Sequence, residues 1–473
     1  MKKRIVVIGA GPAGLTCAVK LLEAGHEVDL IEAGPHVGGL CRSFKLWDQI
    51  VDFGPHRFFS TDPEVVGFWK EVVGKEFALV ERLTRIHYRG KYFRYPLQGV
   101  DLLKNLRIHE IALCGLSFFA QKLKHQRVSR SFEDWVVRRF GRRLYDMFFK
   151  TYTEKLWGLD GSEIDADWAS QRIKSLSVLE VLGSILGRKK QHSSRTLLEQ
   201  FAYPAKGTGM VYERLAERVR AQGGRIHLSS PVEEVTLDQA RAVSGVRLKD
   251  GRVLQASQVV STMPLTLMVR GLREVPAEVT AACDKLRYRN TTLVYLEVDQ
   301  ENLFPDNWIY VHSPEVRHGR ITNFRNRSPG MHGDKKTTIL CLEYWSFNGE
   351  PMWEMTDLEL GRLAKEETER LGLLPSGARV LGSHVVRLSR SYPVYERGYG
   401  ATLQVIQNHV DSIQGLYAIG RYGAFKYNNQ DHSIKMGLLA ARQIDTGVDQ
   451  GLWRVNCDQD YQEAGTTSRK LEA

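Results

Sequence analysis

The sequence predicts an α/β fold in which a Rossmann-like, parallel-sheet domain, assembled from separated segments, carries an inserted mixed α+β domain. Three observations predict it. A strand, a helix and a second strand fit into the first thirty or so residues, which is a βαβ unit. The same α/β character returns after residue 205 and again near the C-terminus, around a middle that reads differently. And 473 residues exceed one small core but suit two interleaved domains.

Residues 4–9 (RIVVIG) read as a buried parallel strand, since after Arg4 the run Ile5 to Ile8 is continuously apolar. Over residues 12–24, Leu15, Ala18, Val19 and Leu22 fall at helical spacing, and Gly25 ends the run. Residues 27–32 (EVDLIE) form the second strand. From about 100 to 200 the chain reads mainly helical and aromatic, with Trp135, Phe140, Tyr145, Phe148, Phe149, Tyr152 and Trp157. A helix over 210–222 and strands over 225–228, 232–237, 242–248 and 253–262 follow. Long strands are expected over 291–298 and 338–345, and an α/β closure over 415–446. The expected parts are therefore a nucleotide domain of residues 1–100, 205–270 and 405–456, a helical insertion of 101–204 and a β-rich part of 271–404. A polar, frayed tail of 457–473 completes the chain.

A hydrophobic content of 42% with 26% charged residues excludes disordered and fibrous classes. The net charge of +11 suits nucleic acid, an anionic membrane or a phosphorylated ligand. No nucleic-acid motif is present and the arginines are scattered, which favours a phosphorylated small molecule or a cofactor pyrophosphate. The six cysteines form no CxxC pair, which argues against a disulfide framework or zinc site and for a reducing cytoplasm. The opening MKKRIVVIGAG leads into a glycine turn, as a strand does, rather than into a cleavage site. No apolar run reaches the roughly 18 residues that span a bilayer. Two stretches could touch a membrane surface: residues 111–120 (IALCGLSFFA), followed by Lys122, Lys124 and Arg127, and residues 178–187, followed by Arg188, Lys189, Lys190, His192 and Arg195. A pair of core helices with a solvated basic turn is the plainer reading of both.

Gly9, Gly11 and Gly14 form GxGxxG between the first strand and its helix. The first glycine permits a tight turn, the second lets backbone approach a pyrophosphate, and the third packs helix on strand. The helix N-terminus then faces the anion with free N–H groups. Glu32 ends the second strand, where a carboxylate accepts hydrogen bonds from a ribose diol and repels a 2′-phosphate. NAD and FAD remain. Gly38, Gly39 and Arg42 suggest a second glycine turn along the same pyrophosphate. Residues 416–420 (LYAIG) run into Arg421, and Asp431 precedes a helix over 434–443 whose N-terminus could meet the far end of an extended dinucleotide. A simple NAD site needs neither feature, so the residues select FAD.

The segments GAGPAG, EAGPHVGGLCRS, DFGPHRF and GRYGAFKYNNQDHSI resemble the FAD-binding amine oxidase and protoporphyrinogen oxidase superfamily, and within it the UDP-galactopyranose mutase branch. The resemblance covers almost the whole chain. It implies a glutathione-reductase-type FAD domain with contacts at Gly9, Gly11, Gly14, Glu32, Gly39 and Arg42, at Val232 beside the adenine, and at Gly420, Arg421 and Asp431. Ser261 to Pro264 resembles the superfamily's turn under the cofactor. The covalent-flavin cysteine pattern is missing, so the FAD is expected to be non-covalent.

The resemblance also implies substrate residues. Gly54-Pro55-His56 resembles the segment that sets a histidine by the flavin ring; a buried histidine bonded to backbone is the alternative. FFKTYTEKLWG (148–158) resembles the pattern FxxxYTxKxWG, which makes Tyr152 and Trp157 candidate lining residues, although an aromatic helix is commonly core. Arg289, in LRYRNTTL, resembles the arginine that holds a substrate diphosphate with its guanidinium fork; a salt bridge to a carboxylate is the alternative. Tyr392 and Tyr395 of YPVY resemble tyrosines that face substrate phosphates. The branch's second diphosphate arginine has no counterpart, since Arg172-Ile173 is followed by Lys174, Ser175, Leu176 and Ser177. Arg172 or Lys174 is left as a substitute. That departure weakens UDP-galactopyranose itself and leaves another nucleotide sugar, a lipid-linked sugar or ordinary oxidation.

Two reactions fit. An oxidoreductase would pass hydride to FAD from a C–H beside nitrogen or oxygen, on a sugar-like small molecule. A mutase would use the reduced cofactor in covalent catalysis at an anomeric carbon, with no net redox change. The oxidoreductase class is the first expectation and the mutase the second. Oxidation of an amine or a protoporphyrinogen is more distant, as is a non-catalytic flavoprotein. HExxH, GxSxG, a Walker lysine and a second NAD(P) fingerprint are all absent from the sequence, so no metal site and no resident reductase is expected.

Overall fold

The computed structural model describes residues 2–95, 97–123, 129–168 and 200–456. Its nucleotide domain centres on a five-stranded parallel sheet in the order Leu416–Ala418, Gln258–Ser261, Arg4–Ile8, Glu27–Ile31, Arg225–His227. Arg4–Ile8 takes the middle because Ile5 to Ile8 are all buried and apolar, so both faces need cover. The chain leaves this strand through Gly9, at a φ of +97° that suits glycine alone, and enters helix Pro12–Glu23. Proline in the first helical turn costs no hydrogen bond. The last helix, Gln430–Thr446, lies so close that a Cβ on Gly437 would stand 2.5 Å from the Ala13 carbonyl oxygen. The two ends of the chain thus share one core.

An antiparallel meander, Val232–Leu237, Val243–Leu248 and Val253–Gln255, flanks this sheet. The strand expected over 253–262 is two strands in two sheets. Ala256 N–H still bonds Ser244 of the meander, whereas Ser257 N–H already bonds Arg4, so the chain changes sheets between them.

The second domain is built on a seven-stranded sheet in the order Val380–Pro393, Tyr288–Val298, Thr338–Ser346, Arg320–Asn323, Trp308–Val311, Thr84–Tyr88, Lys91–Arg94. The last two strands correct the expectation that residues 1–100 all serve the nucleotide domain. Thr84–Tyr88 runs parallel to Trp308–Val311, and the hairpin buries Ile86, Tyr88 and Phe93 against Phe148 and Leu102 of the helical part. Such alternating apolar residues cannot sit in the parallel sheet, which is buried on both faces. Gln200–Pro204, at the end of the expected helical insertion, is likewise a strand and pairs with Phe77–Glu81.

The described helical part comprises Gly99–Asn105, Ile108–Lys122, Phe132–Phe140, Arg142–Tyr145 and Thr151–Trp157, with a π-helical turn at Asp146–Lys150. Among the described residues no helix is long and apolar enough to cross a membrane. Arg172, Lys174, the stretch 178–187, the basic loop 188–195 and the tail 457–473 lie outside the described residues.

Candidate cofactor and substrate cavity

A cavity of about 690 Å³ lies between the two domains. The parallel-sheet domain contributes Gly9, Gly11, Glu32, Gly39, Thr262, Gly420 and Arg421 to its wall, and the meander contributes Val232. Facing them stand Tyr152, Trp157, Tyr310, Arg320 and Tyr392, with His56 from the loop after Gln49–Asp52.

Glycines bare one patch of this wall. A Cβ on Gly9 would stand 2.0 Å from Thr262 Oγ1, and one on Gly420 3.2 Å from Ala13 Cβ. Gly39, at φ +54°, would bring a Cβ within 3.2 Å of Gly11 Cα, so the two glycine turns abut. A Cβ on Gly11 would meet only Gly39 Cα, at 3.9 Å, and otherwise fill open cavity. The N-terminus of helix Pro12–Glu23 opens at this place, offering unpaired N–H groups and a partial positive charge. Beside it the Glu32 carboxylate accepts hydrogen bonds from Ala10 N–H and Gly34 N–H, both at 2.8 Å, which fix its orientation at the wall. A bare, donor-rich cradle next to an anchored carboxylate fits a pyrophosphate with an adjacent ribose.

The other end is aromatic and cationic. Tyr152 stacks on His312 at 4.9 Å between ring centres. The π-turn just before Thr151–Trp157 widens the helix where this wall begins, a device common at functional sites. Arg421 donates to the carbonyls of Ser391 and Asn428, at 2.8 and 3.1 Å, and its guanidinium lies over both Tyr392 and Tyr427. Arg320 pairs through two parallel hydrogen bonds with Glu343, its direct cross-strand neighbour. His56 Nε2 lies 2.8 Å from the Phe53 carbonyl. Burial, then Arg421 and Arg320, push the His56 pKa down to about 3. The ring is therefore neutral at physiological pH: Nε2–H donates to Phe53, and Nδ1 is left as an acceptor.

Several expected site residues stand off the cavity wall. Gly14 packs helix on strand, since a Cβ there would meet the Gly9 carbonyl oxygen at 2.0 Å. Gly38 ties the second turn to the first through a 2.7 Å bond from its N–H to Ala10. Arg42 lies behind that turn with its guanidinium over Phe53. Asp431 does not precede the last helix but is its second residue, buried and off the wall, while Asn428, Asn429 and Gln430 reach the cavity. Tyr395 is buried; its hydroxyl accepts from Tyr427 N–H at 2.8 Å and its ring stacks on Tyr399. The largest correction is Arg289. It is 4% exposed, donates to the Glu350 carboxylate at 2.9 Å and to the Trp345 carbonyl at 3.0 Å, and lies over Phe347. The salt-bridge alternative describes it, because Gly158 and Phe347 wall the guanidinium in. Arg172, the remaining candidate, lies outside the described residues.

Arg320 was missed by sequence reasoning. It is one of four arginines between 317 and 327, and its register opposite Glu343 is what sets it apart. Tyr427, Asn428 and Asn429 were within reach, since they belong to the motif GRYGAFKYNNQDHSI.

Residues 12–445 match the family model of flavin containing amine oxidoreductases. A probable UDP-galactopyranose mutase of Klebsiella pneumoniae is 30% identical over 35% of this chain and 43% of its own length, less than half of that relative. A 15-cis-phytoene desaturase of Capsicum annuum is 23% identical over 93% of this chain and 77% of its own. The fold superposes on a crystal structure of reduced UDP-galactopyranose mutase with a TM-score of 0.85, at 23% identity, over 98% of this chain and all (100%) of that one. The glycine cradle and the family match agree, and the chain belongs to the flavin containing amine oxidoreductase family, with FAD as its cofactor.

Proposed function

We propose that this chain is an FAD-dependent enzyme acting on a glycosyl-type substrate, seated against Tyr152, Trp157, Tyr392 and Tyr427. The observation that carries this reading is the shared cavity: the glycine cradle and the aromatic, arginine-bearing wall line one continuous space. Gly9, Gly11, Gly39 and Gly420 would hold the pyrophosphate, Glu32 the ribose and Val232 the adenine. Bound FAD supplies a two-electron acceptor and donor. Aromatic faces cover the apolar faces of a sugar ring, and Arg421, whose hydrogen bonds go to neutral carbonyls, balances negative charge at that end. His56 presents Nδ1 as a fixed acceptor. At a pKa of about 3 it neither protonates a leaving group nor serves as a strong base, so its part is to orient.

Reduced-cofactor mutase chemistry is the second reading. It is favoured by the cavity positions of Tyr152, Trp157 and Tyr392, all from segments that resemble the mutase branch. The removal of Arg289 from the wall counts against a mutase-style diphosphate grip. One experiment separates the two. The enzyme, oxidised in air or reduced anaerobically with dithionite, is incubated with a panel of nucleotide sugars. Substrate-dependent bleaching of the oxidised flavin supports oxidation. Ring-size isomers formed only by the reduced enzyme support the mutase. Neither outcome with any glycosyl compound rejects the glycosyl reading.

A further inference from the structure

Helix Ile108–Lys122 carries large apolar residues on its exposed side as well as on its buried one. Cys114 and Phe118 are buried on its inner side, while Ile108, Leu113, Leu116 and Phe119 are 86, 46, 67 and 59% exposed. Leu123, just beyond, is 87% exposed, and Val100 and Leu103 of helix Gly99–Asn105 are 46 and 42% exposed. Seven of the thirteen large apolar side chains exposed among the described residues therefore fall between 100 and 123. A surface helix normally turns polar residues to water, and an apolar patch of this kind marks a contact face.

The charge around the patch identifies the contact. Lys104 and Lys122 are exposed on the same two helices and Arg107 in the turn between them, and Arg89, Lys91 and Arg143 are exposed beside them. Lys91 bonds the Asn105 carbonyl, Arg143 N–H bonds Ser117 at 3.1 Å, and Arg89 lies within electrostatic reach of Glu110. The acids of the two helices, Asp101 and Glu110, are held by the backbone N–H groups of Arg94 and Arg107. An apolar centre with a cationic rim matches acyl chains beneath a plane of lipid phosphates.

We propose that this face docks on an anionic phospholipid membrane, with Ile108, Leu116, Phe119 and Leu123 entering the bilayer interface and the lysines and arginines at the headgroups. On the buried side, Cys114 and Leu102 share one cluster with Phe148, Ile86 and Tyr95, which line the cavity. Docking therefore sets the Ile86, Tyr95 and Phe148 wall of the cavity one side-chain layer from the lipid. The inference is independent of the reaction proposed above.

The test is co-sedimentation of the flavin-loaded enzyme with vesicles of pure phosphatidylcholine and of phosphatidylcholine mixed equally with phosphatidylglycerol. The enzyme is expected to partition at least about tenfold better onto the anionic vesicles, and less so in high salt. Leu116→Glu combined with Phe119→Glu is expected to lower that partitioning by about tenfold or more while flavin content and Tm stay unchanged. Lys104→Glu combined with Arg107→Glu tests the cationic rim and substitutes for the first pair if that pair fails to fold. An enzyme that stays in the supernatant with both vesicle types overturns the proposal, as do variants that sediment like the parent. A dimer dispersed by Leu116→Glu, with no vesicle binding, overturns it in favour of a second copy of the chain.

Discussion

The two ends of the cavity are made from the same chain in opposite ways. The cradle uses absence: glycines bare the backbone there, Gly9, Gly39 and Gly420 being required by a positive φ, while a side chain on Gly11 would fill the cavity itself. The aromatic end uses presence: side chains far apart in sequence, Tyr310, Arg320 and Tyr392 from the seven-stranded sheet and Tyr152 and Trp157 from helix Thr151–Trp157, meet around one space. A one-residue slip would turn Arg320 and its neighbours to the other face, whereas the glycine turns would survive it. The proposed pyrophosphate cradle is thus local to short turns, whereas the proposed substrate wall is tertiary and specific to this fold.

Substitutions that separate the two ends sharpen that contrast. Arg320→Ala should have the largest effect, because it strands the buried Glu343 carboxylate without its cation. Breaking such a pair costs roughly 3–5 kcal/mol, so Tm should fall well below that of the parent. A Tm within a degree or two of the parent would show that the pair is solvated. Gly11→Leu should follow, by filling the cradle with little backbone strain. FAD affinity is expected to fall about a hundredfold, roughly 3 kcal/mol, with far-UV circular dichroism unchanged. Retention of full flavin content on purification would move the pyrophosphate elsewhere.

Arg289→Lys should do less. It keeps a cation beside Glu350 but loses the bond to the Trp345 carbonyl, about 1 kcal/mol of stability, and leaves nucleotide-sugar affinity unaltered. Weaker sugar binding by this variant would return Arg289 to the site. The smallest effect is on pH dependence. His56 titrates at about 3 when folded against 6.5 for the ordinary ring. Between those values the unfolded chain binds a proton that the folded chain does not. Stability from this group is therefore complete above the ordinary value and is lost as pH falls toward 3. His56→Gln should flatten that acid limb in a plot of Tm against pH, and an unaltered limb would mean that His56 is solvated.

What the sequence showed follows the same division. GxGxxG, Glu32 and the Gly39 turn were legible because tight turns and strand ends are chemistry over a few residues. The aromatic motif around Tyr152 and Trp157 was legible as a resemblance, and both residues reach the cavity. Arg289 misled because an arginine in a strand carries no mark of which carboxylate lies opposite, and Glu350 is invisible without the fold. Thr84–Tyr88 misled for a related reason: alternating apolar residues announce a half-buried strand but do not say which sheet receives it. Asp431 shows the limit of boundary reading, since the last helix starts at Gln430, ahead of its apolar periodicity.

The central claim is that the glycine turns and the His56 end grip a single extended molecule. Titration of the flavin-free protein with FAD, with ADP and with FMN tests it most directly. If one ligand joins both ends, FAD should bind at least about a hundredfold more tightly than either half, and excess ADP should displace it. Binding of FMN as tight as that of FAD, undisturbed by ADP, would contradict the account.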